Sequence, residues 1–361
     1  MLVPALDEAA VVARQLADEV LFPAAADVDQ SDLVPRSHLM ALGEAGLHGL
    51  YGPAGVGLGA DQVSARPVME AASGGCGATS FVWQQHHGAV RRLVAGDGPA
   101  ADRWLAPACT GAVMAGIGFA YLRRPGPVLV RATRVGGGWR VDGRAPWITG
   151  WGLVDILVIM ARTDDDRVVT VVFDRLDRFE LRAEGPQRLS VLGATGTVAV
   201  NFEGAVASED DVVRVEGVAS WAARDAIGAA FPGPAPLGIA ERAVRLLADA
   251  SGGGAAEAAA EFTDELERTR TSTDAAGRRL YAAASNITDV GDAIAEGVAQ
   301  RDRGLALARR ATDALVAASG GRAMSLAHPA QRLSREATFY LVQAQSADLR
   351  TATLARLMAA R

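Results

Sequence analysis

The sequence predicts an α+β protein in three consecutive segments: helical, then antiparallel β, then helical again. Three observations carry that reading. Apolar residues recur at helical spacing up to about Gly111, give way there to short β-branched alternating runs, and resume helical spacing from Val218. Glycine and proline fall in clusters that punctuate each block. Strands held between two helical blocks argue for segregated α+β architecture and against a doubly wound parallel sheet. The expected boundaries are 1–110 for an N-terminal helical domain, 111–216 for a central antiparallel β domain and 217–361 for a C-terminal helical bundle.

Within the first block, residues 5–21 carry an apolar stripe of Leu6, Ala9, Ala10, Ala13, Leu16 and Val20. Residues 35–45 begin on proline and stop before Gly46, the usual start and stop asymmetry of a helix. Residues 62–72 and 80–93 predict two more helices, with Ser73-Gly74-Gly75 as the breaker between them. In the middle block, 128–133, 139–141, 156–160, 168–173 and 197–202 predict strands, and Gly136-Gly137-Gly138 predicts a hairpin connection. Asp164-Asp165-Asp166 and Glu209-Asp210-Asp211 predict solvated loop tips. The last block is broken at Pro232-Gly233-Pro234, at Ser251-Gly252-Gly253-Gly254 and at Ser319-Gly320-Gly321, and a bundle is the default for the helices between.

Composition narrows the chemistry. With 361 residues, half of them hydrophobic, 22% charged and a net charge of −6, the chain is globular and offers no basic footprint for nucleic acid. It contains no lysine, so all 36 side-chain cations among Lys and Arg are arginine; Schiff-base, phosphate-loop-lysine and Ser–Lys chemistries are excluded. Two cysteines, Cys76 and Cys109, make neither a disulfide framework nor a cysteine metal site. The histidines are His38, His48, His86, His87 and His328, and none are spaced as a helical metal pair. His86 and His87 are neighbours, whose side chains on a helix diverge by about 100°, and no metal is expected. No apolar run reaches the ~18 residues of a membrane span, and the N-terminus shows no signal pattern, so the expectation is a soluble, cytoplasmic chain with no membrane partner. Gly55-Val56-Gly57-Leu58-Gly59 lacks the spacing of a dinucleotide fingerprint and reads as a loop between helices. No GxSxG elbow occurs.

Five pieces of sequence in fixed order resemble the acyl-CoA dehydrogenase family over nearly the full length. Residues 46–53 (GLHGLYGP) followed by 55–59 (GVGLG) are similar to its first glycine-rich loop, and Trp104-Leu105-Ala106-Pro107 before Gly111 to the end of its helical domain. Residues 139–149 (WRVDGRAPWIT) are similar to the strand pair that ends in its Trp-Ile-Thr flavin motif. Gly320-Gly321 and then 329–337 (PAQRLSREA) are similar to its C-terminal signature. The resemblance implies a C-terminal four-helix bundle, FAD held between the β domain and that bundle, and a homo-oligomer, dimer or tetramer, whose neighbouring subunit completes the site. It implies an acyl-CoA or acyl-carrier thioester as substrate, with a carboxylate removing the α-proton while the β-hydrogen leaves as hydride to the flavin; such a base has to be close, desolvated and tuned in pKa. It also places Trp147, Ile148 and Thr149 on the flavin, Tyr121 and Leu122 in the segment that lines it, and Gly320, Gly321 and Ser346 on its dinucleotide side.

The chain departs from the family at three points. Counted from Arg335, the usual catalytic glutamate falls on Ala344, and the alternative position, counted back from Pro236-Leu237-Gly238, falls on Gly228. Asp225 is the nearby carboxylate, one helical turn upstream, and is the candidate base; pairing with Arg224 is its ordinary structural role. The arginine that reaches the FAD pyrophosphate across subunits falls on about Gly254, leaving Arg268 and Arg270 as substitutes. Residues 119–126 (FAYLRRPG) replace a hydroxyl-rich acidic stretch, so that Arg123 and Arg124 suit a carboxylate or phosphate on a ligand. Three functions follow from the resemblance: an acyl-CoA dehydrogenase-like oxidoreductase with a displaced base, a flavin-dependent monooxygenase of the same fold, which needs no α-proton base, or a non-catalytic subunit completing a second family member's site in a hetero-oligomer.

Overall fold

The N-terminal block opens on one continuous helical path. α1 (Leu6–Leu16) passes through a π-turn (Ala17–Leu21) into α2 (Phe22–Gln30). Pro23 has no N–H for the carbonyl of Glu19, and the wider turn accommodates the ring where a regular helix would clash. The computed structural model describes residues 5–250, 253–286 and 290–359, so Ser251-Gly252 of the expected break lies outside the described residues. α3 (Arg36–Glu44) stops at Gly46, which is left-handed at φ 74°. α4 (Arg66–Gly75) and α5 (Gly77–Val94) are separated by the extended Cys76 alone, and α6 (Pro99–Thr110) closes the block.

Ser73-Gly74-Gly75 is therefore helical and not a breaker. Its glycines serve packing. A Cβ on Gly75 would lie 2.9 Å from Cβ of Leu21, and one on Gly74 would lie 2.8 Å from the carbonyl of Gly238.

The central sheet contains β1 (Ala115–Gly118), β2 (Val130–Val135), β3 (Gly138–Ile148), β4 (Ile156–Arg162), β5 (Arg167–Phe173), β6 (Leu181–Ala183), β7 (Val198–Ser208) and β8 (Val212–Gly217). Its order is β6-β7-β3-β2-β4-β5-β8, with β1 beside β4. It is mostly antiparallel, but not wholly: β1 runs parallel to β4, and β2 meets β4 in parallel at Arg131 and Arg162. β4 is covered on both sides. Leu157, Ile159 and Ala161 join the core with β2, β3 and β7, while Ile156, Val158 and Met160 pack with Ala89, Val90 and Ala100 of α5 and α6. Double burial explains the unbroken apolar run of this strand, where a half-exposed strand alternates.

The C-terminal block contains α7 (Val218–Ala230), α8 (Pro234–Ala248), α9 (Ala255–Asn286), α10 (Val290–Ser319), α11 (Pro329–Phe339) and α12 (Ala347–Ala359). α8, α9, α10 and α11 share one core and form the four-helix bundle. α7 and α12 flank it, joined through Ala230, Phe231, Leu280, Val298 and Leu349. The bundle meets the N-terminal helices through an ionic seam. Glu70 of α4 accepts from Arg66 at 2.7 Å and from Arg270 of α9 at 2.9 Å, Arg66 also holds Asp274, and Glu241 of α8 pairs with Arg14 and Arg270.

Candidate functional site

The end of β3 presents an aromatic face. Trp147 is 47% exposed, flanked by buried Pro146 and Ile148, where the pairing of β3 with β7 shifts register between Ala145 and Ile148. A bulge of this kind re-aims a side chain, and an indole left half in solvent is suited to stacking on a planar ring. Thr149 is buried and lies at the head of a hydroxyl chain. Its Oγ1 is 3.0 Å from that of Thr197, which is 2.9 Å from that of Thr195, which donates to the carbonyl of Leu192 at 2.8 Å. A hydroxyl has one proton. With Thr195 committed to Leu192, Thr197 donates to Thr195 and Thr149 donates to Thr197, so Thr149 offers lone pairs to a ligand.

The segment after β1 differs from expectation. Tyr121 is buried, and its hydroxyl donates to the carbonyl of Met160 at 2.7 Å, with the carbonyl of Gly118 3.0 Å away. Its side chain is a core anchor of the sheet, and only its backbone is left for a cofactor. Leu122 is half-buried against the same core. Arg123 holds Asp225 of α7 in a two-point ion pair at 2.6 and 2.8 Å. This corrects two expectations together: Asp225 is not a free base, and the charge of Arg123 is already matched. Arg224, the expected partner of Asp225, pairs with Glu216 instead. Arg124 is exposed in the following turn.

The position of the usual glutamate lies in the turn between α11 and α12. Ala344 is left-handed at φ 48°. Beside it, Arg301 of α10 donates to the carbonyl of Gln343 at 2.7 Å, to its Oε1 at 3.3 Å, and to the carbonyl of Ala229 on α7 at 2.9 Å. Burial, reinforced by repulsion from Arg123, pulls the Arg301 guanidinium down to about 10. Tyr340, which burial pushes well above the usual tyrosine range, accepts a long 3.4 Å bond from Gln84 of α5. Ser346 caps α12 by accepting from the N–H of Leu349 at 3.2 Å. Gly320 and Gly321 are exposed, and a Cβ on either, on Gly228 or on Gly254 would meet nothing within 4 Å. Arg268 is exposed on α9, whereas Arg270 is committed to the ionic seam with Glu70, Glu241 and Glu267 and is not a substitute for the missing arginine.

Sequence reasoning missed Arg301, Gln84 and Tyr340. The one signal for Arg301 was a cation on the otherwise apolar face that carries Val298 and Leu305. The histidines lie elsewhere. His86 accepts the N–H of Ala115 on Nδ1 at 3.1 Å, with Nε2 3.3 Å from the carbonyl of His48. Among the described residues no cluster of His, Cys, Asp and Glu is placed to hold a metal ion, and no helix is long and apolar enough to cross a membrane. A cleft of about 500 Å³ lies between α1, the 61–67 segment and α9, and shares no residue with this region.

Residues 6–112 match the model of the acyl-CoA dehydrogenase N-terminal domain. A short-chain specific acyl-CoA dehydrogenase, mitochondrial, of Bos taurus is 28% identical over 162 residues, which are 42% of this chain and 38% of that protein; the match thus spans about two fifths of the relative's length. The fold is that of butyryl-CoA dehydrogenase from Megasphaera elsdenii, with a TM-score of 0.78 at 17% identity over 99% of both chains. It is equally that of a dibenzothiophene monooxygenase from Paenibacillus, with a TM-score of 0.80 at 17% identity over 98% of both chains.

Proposed function

We propose that this chain is a flavin-dependent oxidoreductase of the acyl-CoA dehydrogenase family, acting on an acyl thioester. The observation that carries the reading is the end of β3: a half-exposed Trp147 beside a Thr149 hydroxyl whose proton is turned inward. These residues fit the ring end of FAD. Trp147 covers one side of the ring system, Ile148 fixes the strand in the core, and Thr149 accepts a hydrogen bond at the ring edge. Leu122 contributes its backbone. Gly320 and Gly321, open to solvent in the single chain, and Ser346 serve the dinucleotide side of the cofactor in an assembled dimer or tetramer. Bound flavin supplies the hydride acceptor. The chain's own part is to orient the thioester, exclude water and hold the turn at Ala344 through Arg301.

One observation favours a second reading. Ala344 and Gly228 carry no carboxyl, and Asp225 is held at both oxygens by Arg123. Abstraction of an α-proton thus lacks a free base within this chain at the three positions where one was expected. A monooxygenase of the same fold needs none, and a subunit completing a second family member's site in a hetero-oligomer needs none either.

The test is the visible spectrum of the purified protein with added FAD, taken with its mass in solution. Stoichiometric flavin uptake followed by anaerobic bleaching with acyl-CoA is the expected result. Flavin that acyl-CoA leaves oxidised, that a flavin reductase bleaches instead, and whose colour returns with oxygen as a substrate is oxygenated, transfers the assignment to the monooxygenase. A colourless protein that ignores FAD overturns both and leaves the subunit reading.

A further inference from the structure

α5 carries one open stripe. Between Gly77 and Val90 every residue of this helix is buried except Phe81, Gln84, Gln85 and Gly88, which are half-buried. Spacings of three, four and seven residues from Phe81 put the four on one face. The Phe81 ring meets Phe339 of α11 edge-on, with 4.8 Å between centres, Gln84 reaches Tyr340 at 3.4 Å, and a Cβ on Gly88 would lie 3.3 Å from Ile117 of β1. The stripe thus runs from the end of α11, four residues before Ala344, to the strand that leads into the candidate flavin segment. Hydrogen bonds decide which way the Gln84 amide points. Ser73 spends its proton on the carbonyl of Met69 at 2.8 Å, so Ser80, 2.8 Å away, donates to Ser73. Both serine oxygens can then only accept from Gln84, whose Nε2 lies 2.9 Å from Ser80 and 3.3 Å from Ser73. Its Oε1 is turned the other way and meets no donor among the described residues. Gln85 makes no hydrogen bond among them, and the phenol proton of Tyr340 has no acceptor there.

We propose that Gln84 and Gln85 are specificity-determining residues that receive a hydroxyl group on the acyl chain of the substrate. Resting on the function proposed above, this names the substrate class: a hydroxyacyl thioester. The stripe offers an acceptor on Gln84, a donor on Tyr340 and one of each on Gln85, without formal charge. Polar groups left half-buried and unmet cost free energy. A hydroxyl answers both kinds at once, donating its proton to an amide oxygen and accepting from an amide N–H or the phenol. A carboxylate or a ketone has no proton to give to Gln84, and an alkyl chain answers neither kind.

The test is isothermal titration of the full chain, with FAD added, against butyryl-, hexanoyl- and octanoyl-CoA and against the same three thioesters carrying a terminal hydroxyl. At the chain length that reaches the glutamines, the hydroxylated thioester is expected to bind at least tenfold more tightly than its parent. Gln85→Leu, which breaks no hydrogen bond within the protein, should abolish or invert that preference. Gln84→Met should reduce it, and Gln15→Leu, exposed on α1, should leave it unchanged. The ratio of the two affinities is the readout, because a loss of packing lowers both together. Circular dichroism melts report folding; should Gln84→Met fail to fold, Gln85→Leu carries the comparison. Equal affinity for hydroxylated and parent thioesters at all three lengths, or a preference that survives Gln85→Leu and Gln84→Met, overturns this proposal alone. Hydroxyacyl preference without FAD uptake sinks the flavin assignment alone. Failure of every thioester to bind overturns both.

Discussion

The direction of the Thr149 hydroxyl is decided two residues down a chain of threonines, by the carbonyl of Leu192. Replacing Thr195 by valine leaves Thr197 without its buried acceptor and should cost about 1–2 kcal/mol in urea unfolding; an unchanged midpoint would mean that the chain is not continuous. Trp147→Ala removes the exposed indole and should weaken FAD binding about tenfold, the scale of one aromatic stacking contact, as read by fluorescence quenching. Asp225→Asn breaks a two-point pair with Arg123 and should cost about 3 kcal/mol of stability, while substrate reduction of any bound flavin persists in the folded fraction. Loss of reduction without loss of stability would restore Asp225 as a base. At this scale the sequence was legible where the candidate site is local. Trp147, Ile148 and Thr149 are consecutive, so their grouping needs no fold. Arg301 was not legible, because its acceptors lie 72 residues before it at Ala229 and 42 after it at Gln343.

Elements with strong periodicity were equally legible: α3, α5 and β2 fall within a few residues of where the pattern puts them, whereas the helix expected over 5–21 runs on through the π-turn into α2, and β3 extends seven residues past the expected end at Val141. Short elements were not. β6 has three residues, and β1 reads Ala-Gly-Ile-Gly, which shows neither alternation nor a β-branched run. Both exist because a longer strand pairs with them, β7 in one case and β4 in the other. Glycine was misread for a related reason. A breaker and a close-contact residue look alike in a string, and only the partner helix tells them apart. α8 crosses α4 so tightly that a Cβ on Gly238 would sit 2.0 Å from the carbonyl of Glu70. Gly238→Ala must push the two helices apart and should destabilise the protein by about 3 kcal/mol, seen as a lower denaturant midpoint. A neutral result would show that the bundle and the N-terminal helices are not tightly coupled there.

Across the whole molecule, the hydrophobic seam between α5, the glycine loop and the sheet encloses three histidines in their neutral form. Burial holds His48 at about 4; burial and then the neighbouring His48 hold His86 at about 3; and His87 lies well below the usual value for the same reasons. In the unfolded chain each titrates near 6.5, so below that pH the unfolded state binds more protons than the folded one. Their contribution is complete above pH 6.5 and is lost as the pH falls toward 4 and then 3, with His48 alone accounting for about 3 kcal/mol. Urea midpoints should therefore fall steeply between pH 6.5 and 4, and a flat profile would refute the neutral burial. The sheet is divided in a different sense. The ladders β6-β7-β3-β2 and β1-β4-β5-β8 share one rung, Arg131 with Arg162. Each ladder closes its own hairpin locally and then waits for a distant strand, β7 for one and β8 for the other. Amide hydrogen exchange should therefore resolve the eight strands into two cooperative classes, each opening with its own rate, as in a cloth woven in two panels and stitched at a single point.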